Sequence, residues 1–127
     1  MSITYSSAIL CDHIRQENNG KFILIGVYSS NIILQTFPAT VHFHVFARAR
    51  MSGAGEHKFS LRMLIDETEN QRTEGVVEIE NESEDWMAIP FQPVRISVPG
   101  SLSLEQRNEN GGWDEFFRIP ISRPPTS

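Results

Sequence analysis

Four side chains have the chemistry of metal ligands at a spacing worth testing: Cys11 with His13, and His42 with His44. Residues two apart on a β-strand project from the same face. If the two strands were neighbours, one thiolate and three imidazoles could converge into a tetrahedral zinc site. Two features weigh against this. Structural zinc pairs are more often separated by two to four residues, and His42 and His44 would point outward on a surface that also carries Arg48, Lys58 and Arg62, a poor neighbourhood for a dication. The plainer reading is an amphipathic strand beside a small buried thiol.

Carboxylates offer calcium chemistry. The stretch from Asp66 to Asp85 carries nine of the sixteen acidic residues. Asp66, Glu67 and Glu69 fall in one expected loop, and Glu82, Glu84 and Asp85 in another. Loop tips of a sandwich can hold calcium through several oxygens. Most of these residues are glutamates, however, and no D-x-D spacing is present. A solvated acidic face that keeps the chain soluble is the simpler account.

Covalent catalysis has no support in the spacing. There is no G-x-S-x-G elbow, P-loop, glycine-rich dinucleotide turn or H-E-x-x-H. Cys11 and His13 would project side by side without a third group to orient the base. The sequence therefore points to a non-enzyme that needs no cofactor.

A binding surface is better supported. Residues 40–66 read as two strands. Val41, Phe43, Val45, Ala47 and Ala49 alternate with His42, His44, Phe46, Arg48 and Arg50, and Phe59, Leu61, Met63 and Ile65 share a face beyond the loop 51–55. A five-residue loop predicts a hairpin with Val45 opposite Leu61, Phe43 opposite Met63 and Val41 opposite Ile65, placing every apolar pair on one face. Its outward face would carry His44, Phe46, Arg48, Arg50, Lys58 and Arg62. That basic, partly aromatic patch next to a strongly acidic stretch suggests docking onto a protein partner, or self-association into a homo-oligomer. Phe46, Trp86 and Trp113 are either aromatic anchors, or Phe46 packs under a neighbouring loop or a second sheet and the tryptophans cap the ends of the sandwich.

The elements that must position these residues are strands throughout. Residues 3–14 alternate, with Ile3, Tyr5, Ile9 and Cys11 expected on one face. Gln16 to Gly20 is a turn. Lys21 to Tyr28 is apolar nearly throughout, which suits a strand buried on both faces, and Gly26 within it marks a bulge or a close approach. A short strand at 32–34 ends before Pro38. Val77 and Ile79 sit in a half-solvated strand between the expected loops 68–71 and 81–84. Pro90, Pro93 and Pro99 exclude a long helix and mark sheet edges. Strands at 94–98, 102–104 and 113–121 complete the chain.

The expected fold is thus all-β: a two-sheet antiparallel β-sandwich of about eight or nine short strands, immunoglobulin-like or C2-like in size. One domain over residues 1–122 with a frayed tail at 123–127 fits a length of 127 residues. The formal charge of −5 disfavours nucleic acid and anionic membrane surfaces as partners. A single cysteine forbids an intrachain disulfide and fits a reducing compartment. With no transmembrane-length apolar run and no basic, apolar leader, the expected location is the cytoplasm.

The segment Ala8 to Arg15, containing Cys11-Asp12-His13-Ile14-Arg15, is followed by Gly20 to Tyr28 (GKFILIGVY). Together with Pro38 after the short third strand, these residues resemble a family of short uncharacterised bacterial and phage-borne proteins. The resemblance is carried by residues 6–40 and by pattern alone beyond them. It implies a bacterial or phage cytoplasmic origin and brings no activity with it. Of the charges flanking the turn, Asp12 and Arg15 either pair across a strand end and fix the turn into Lys21, or with Lys21 line a ligand site, and the structural role is the ordinary one for such residues.

Overall fold

The structure, a computed structural model, describes residues 2–125. Thr126 and Ser127 of the expected tail lie outside the described residues. The chain runs through β1 (Ser2–Gln16), β2 (Phe22–Tyr28), β3 (Ile32–Ile33), β4 (Ala39–Val41), β5 (His44–Ser52), β6 (Gly55–Ile65), β7 (Thr68–Ile79), β8 (Ser83–Pro90), β9 (Val94–Ile96), β10 (Gly100–Arg107) and β11 (Trp113–Ser122), with no helix among the described residues. There are more strands than expected because β8 begins within the expected loop at 81–84, and the first strand of the 40–66 segment is divided into β4 and β5.

Two main sheets form the sandwich. One has the order β2-β1-β5-β8 and the other β3-β11-β10-β6-β7, while β4 and β9 make a separate two-stranded sheet. Pairing is antiparallel except between β3 and β11. Leu10, Val45, Ala47, Ala49 and Ile89 from the first sheet and Leu61, Met63, Leu102, Leu104, Ile119 and Ile121 from the second share one buried core. Val94 and Ile96 of β9 belong to it too.

The expected hairpin between β5 and β6 does not form. The inward set is as read, since Val45, Ala47, Ala49, Leu61 and Met63 are all buried. Yet β5 pairs with β1 and β8, while β6 pairs with β10 and β7. Val45 and Leu61 belong to opposite sheets of the sandwich. The connection permits this because Gly53 (φ 88°) and Gly55 (φ 119°) adopt conformations that side-chain-bearing residues avoid. The chain steps from one sheet to the other there, and His57 Nε2–H donates to the Gly53 carbonyl at 2.8 Å to hold the step.

The true hairpin partner of β6 is β7, so the expected loop at 68–71 is strand instead. Its turn is Asp66-Glu67, both at positive φ (50° and 67°), the geometry of a two-residue hairpin turn whose twist matches the strands. No glycine advertises it. The turn is held from β10, where Asp66 N–H donates to the Ser101 carbonyl and Ser101 N–H to Asp66 Oδ1, each at 2.9 Å.

In β1 the register shifts between Tyr5 and Ser7. Tyr5 and Leu10 join the core, whereas Ile9 and Cys11 pair with Phe46 and His44, whose side chains point away from it. The shift therefore divides the expected face of Ile3, Tyr5, Ile9 and Cys11 into two.

Candidate protein-docking edge

The six residues expected to make a binding surface are not brought together. His44, Phe46, Arg48 and Arg50 alternate with buried residues on β5 and so stand on the outer face of the first sheet. Lys58 and Arg62 occupy the equivalent positions on β6, on the outer face of the second. The core separates the two groups. Each group also has local business. Arg48 pairs with Glu84 at 3.4 Å and lies over the Trp86 ring. Arg62 pairs with Glu105 at 2.6 Å and Glu69 at 3.2 Å, and covers Trp113. Trp113 also carries Arg72 and Arg107 over its ring. Phe46 is buried, stacked on Trp86 with ring centres 4.6 Å apart and met edge-on by Phe22 at 5.0 Å. It is packed, as one of its two sequence readings had it.

Metal chemistry gains nothing from the geometry. Among the described residues no group of three or more His, Cys, Asp or Glu side chains is placed to hold an ion. His13 and His44 meet edge to face at 5.2 Å, with His44 Nδ1–H given to the Asp12 carbonyl at 3.0 Å. Cys11 is fully buried, and burial pushes its thiol pKa up, which favours the protonated form. Of the acidic residues considered for calcium, Glu67 is engaged by Arg118 at 2.7 Å and Glu69 by Arg72 at 2.7 Å. The Asp85 carboxylate accepts from the Trp86 amide.

The feature that does stand out is β2. Seven residues, Phe22 to Tyr28, include no charge. The expectation that this run is buried on both faces is wrong: β2 is an edge strand, bonded to β1 on one side only. Ile23, Ile25 and Val27 are 40%, 47% and 52% exposed, three of the six large apolar side chains exposed among the described residues. The other edges of the two main sheets are defended in the usual ways. The outermost strand β8 carries Glu84, Asp85 and Pro90, β7 carries Glu69, Arg72, Glu74 and Glu78, and β3 is two residues long.

The β1–β2 hairpin is also bent. Phe22 pairs with Gln16 and Phe46 with Ile9 on the same strand β1. Those partners are seven residues apart, roughly 23 Å along a straight strand, yet the two phenyl rings are 5.0 Å apart. The arm must therefore turn back over the sheet. Its ladder omits the Asp12/Gly26 position, where Gly26 has φ 69°. A Cβ on Gly26 would collide with the Asp12 carboxylate, and that carboxylate accepts the Tyr28 hydroxyl at 2.8 Å. Burial, reinforced by this bond, pushes the Tyr28 pKa up to about 12. The two sequence elements, Cys11-Asp12 and Gly26-Val27-Tyr28, thus meet as a single bend. Asp12 serves it by bonding to the neighbouring strand, rather than by fixing the turn into Lys21 with Arg15.

A cleft of about 500 Å³ opens where β6 outruns β10, lined by Tyr5, Glu56, Lys58, Phe59, Arg107 and Asp114 among others. Its lining mixes both signs of charge.

This chain belongs to the family of unknown function DUF6941, which matches residues 6–110, from β1 through β10. No curated protein matches it. No helix of the structure is long and apolar enough to cross a membrane.

Proposed function

We propose that this chain is a non-enzymatic protein-binding module that takes up a polypeptide strand along the open edge of β2. The observation behind the reading is the contrast among the edges of the two main sheets: among the described residues, β2 is the edge there that combines an uncharged sequence with a row of exposed apolar side chains. Strand addition would satisfy the outward amide and carbonyl groups, and the exposed Ile23, Ile25 and Val27 would select apolar neighbours. The bend at Gly26 turns the arm back over the sheet, and the contact of Phe22 with Phe46 braces its far end.

The test is capture from the native host with the tagged chain, counting every polypeptide recovered, untagged copies of the chain included. A polypeptide at fixed ratio should accompany the wild type and Val76→Lys, a charge placed at another exposed apolar site on an edge strand. It should be lost with Ile25→Lys, which leaves the core untouched. Equal recovery with Ile25→Lys would remove the reading.

A further inference from the structure

Resting on the β2 reading, we infer that the strand taken up is β2 of a second copy, joined antiparallel about a two-fold axis through Ile25. The hydrogen-bond pattern allows it. Glu17 N–H donates to the Lys21 carbonyl, so odd-numbered residues of β2 spend their backbone groups on β1, and Phe22 and Leu24 turn theirs to the open edge by alternation. A two-fold through Ile25 sets Leu24 against Gly26 and Phe22 against Tyr28, joining residues of this outward set. Ile23 then faces Val27, and Ile25 faces its own copy, in the non-hydrogen-bonded positions where side chains come closest. Gly26 has no side chain to obstruct the approach.

Charge supports a second copy as the occupant. The chain is acidic overall, yet no Asp or Glu occurs from residue 18 to residue 55. Two copies would meet along a segment that itself has no carboxylate, and the neighbouring Asp12 carboxylate at Gly26 is engaged by the Tyr28 hydroxyl. In this register each Lys21 falls opposite Ser29, so no like charges are opposed. The contact uses the same patch on both copies and closes on itself, and the charged, proline-bearing edge β8 at the far side of the sheet discourages further growth. The product is one continuous sheet of order β8-β5-β1-β2-β2-β1-β5-β8.

Sedimentation velocity on the purified full chain, over a wide range of concentration, tests this. The wild type and Val76→Lys should pass from monomer to dimer as concentration rises. Ile25→Lys should remain monomeric, or associate about tenfold or more weakly, with its circular dichroism and urea midpoint unchanged. A wild type that stays monomeric throughout, or a dimer indifferent to Ile25→Lys, overturns the self-pairing. If the wild type is monomeric but still captures another polypeptide in an Ile25-dependent way, β2 docking survives and only the second copy fails. Capture independent of Ile25 defeats both.

Discussion

The side chain of Gln106 stands in for a strand beside Tyr5: its Oε1 accepts the Tyr5 amide at 3.1 Å and its Nε2–H donates to the Tyr5 carbonyl at 3.3 Å, across 101 residues of sequence. β2 reaches only as far as Leu10 along β1, so the start of β1 has no strand neighbour on that side. The register shift after Tyr5 sits at the same place. One buried glutamine thereby ties the first sheet to β10 of the second.

Removing it is expected to be expensive. Gln106→Leu leaves a buried amide and a buried carbonyl without partners, at about 1–3 kcal/mol each, so the loss should be roughly 2–6 kcal/mol. Urea denaturation followed by circular dichroism measures it. A loss below about 0.5 kcal/mol, typical of an indifferent surface change, would mean that the clip does not matter.

Stability should fall at both ends of the pH scale, for different reasons. Hydrogen bonding from Arg118 holds the Glu67 carboxyl below its usual value of 4.5, and bonding chiefly from Arg72 does the same for Glu69. A lowered folded-state pKa contributes stability that is present above the unfolded value and is lost as pH falls through the folded one. The double variant Glu67→Gln, Glu69→Gln should therefore show a shallower acid limb below about pH 4.5. At the alkaline end, burial raises Tyr5 from 10 to about 12. Its contribution is complete below pH 10 and is lost as pH rises towards 12. Tyr5→Phe should flatten that limb. Thermal melts across the two ranges report both slopes.

The bend predicts a non-additive pair. Gly26→Ala meets two obstacles, a positive φ that costs about 1–2 kcal/mol for a residue with a Cβ and the Asp12 carboxylate in its way. Asp12→Ala removes the second obstacle and the bond to Tyr28, but not the first. The double variant should accordingly be more stable than the sum of the single losses implies, which a double-mutant cycle by denaturation reads directly. Simple additivity would place the two residues out of contact.

Much of the fold was legible because alternation reports which face of a strand is buried. Val45, Ala47, Ala49, Leu61 and Met63 were read as inward and are. Alternation does not report which strand lies alongside. Two half-buried strands joined by a short loop satisfy the same pattern side by side or face to face, and Gly53 and Gly55 decided for the latter. The β6–β7 turn escaped notice because it uses Asp66 and Glu67 where glycine or asparagine is the usual sign. β2 misled in the opposite sense: its continuous apolar run describes a central strand, whereas the structure leaves it on an edge. The grouping of Arg48 with Arg62 failed with the hairpin that was to unite them. Gln106 gave no signal at all, since its partner is backbone far away in the sequence.

The central claim is that the outer edge of β2 is where another polypeptide docks. A photo-crosslinking amino acid placed at position 25 in the full chain, and separately at position 76, addresses it inside native host cells. The account predicts a discrete adduct from position 25, a crosslinked dimer if the partner is a second copy, and little or none from position 76. The absence of an adduct at position 25, or the same adducts from both positions, would contradict it.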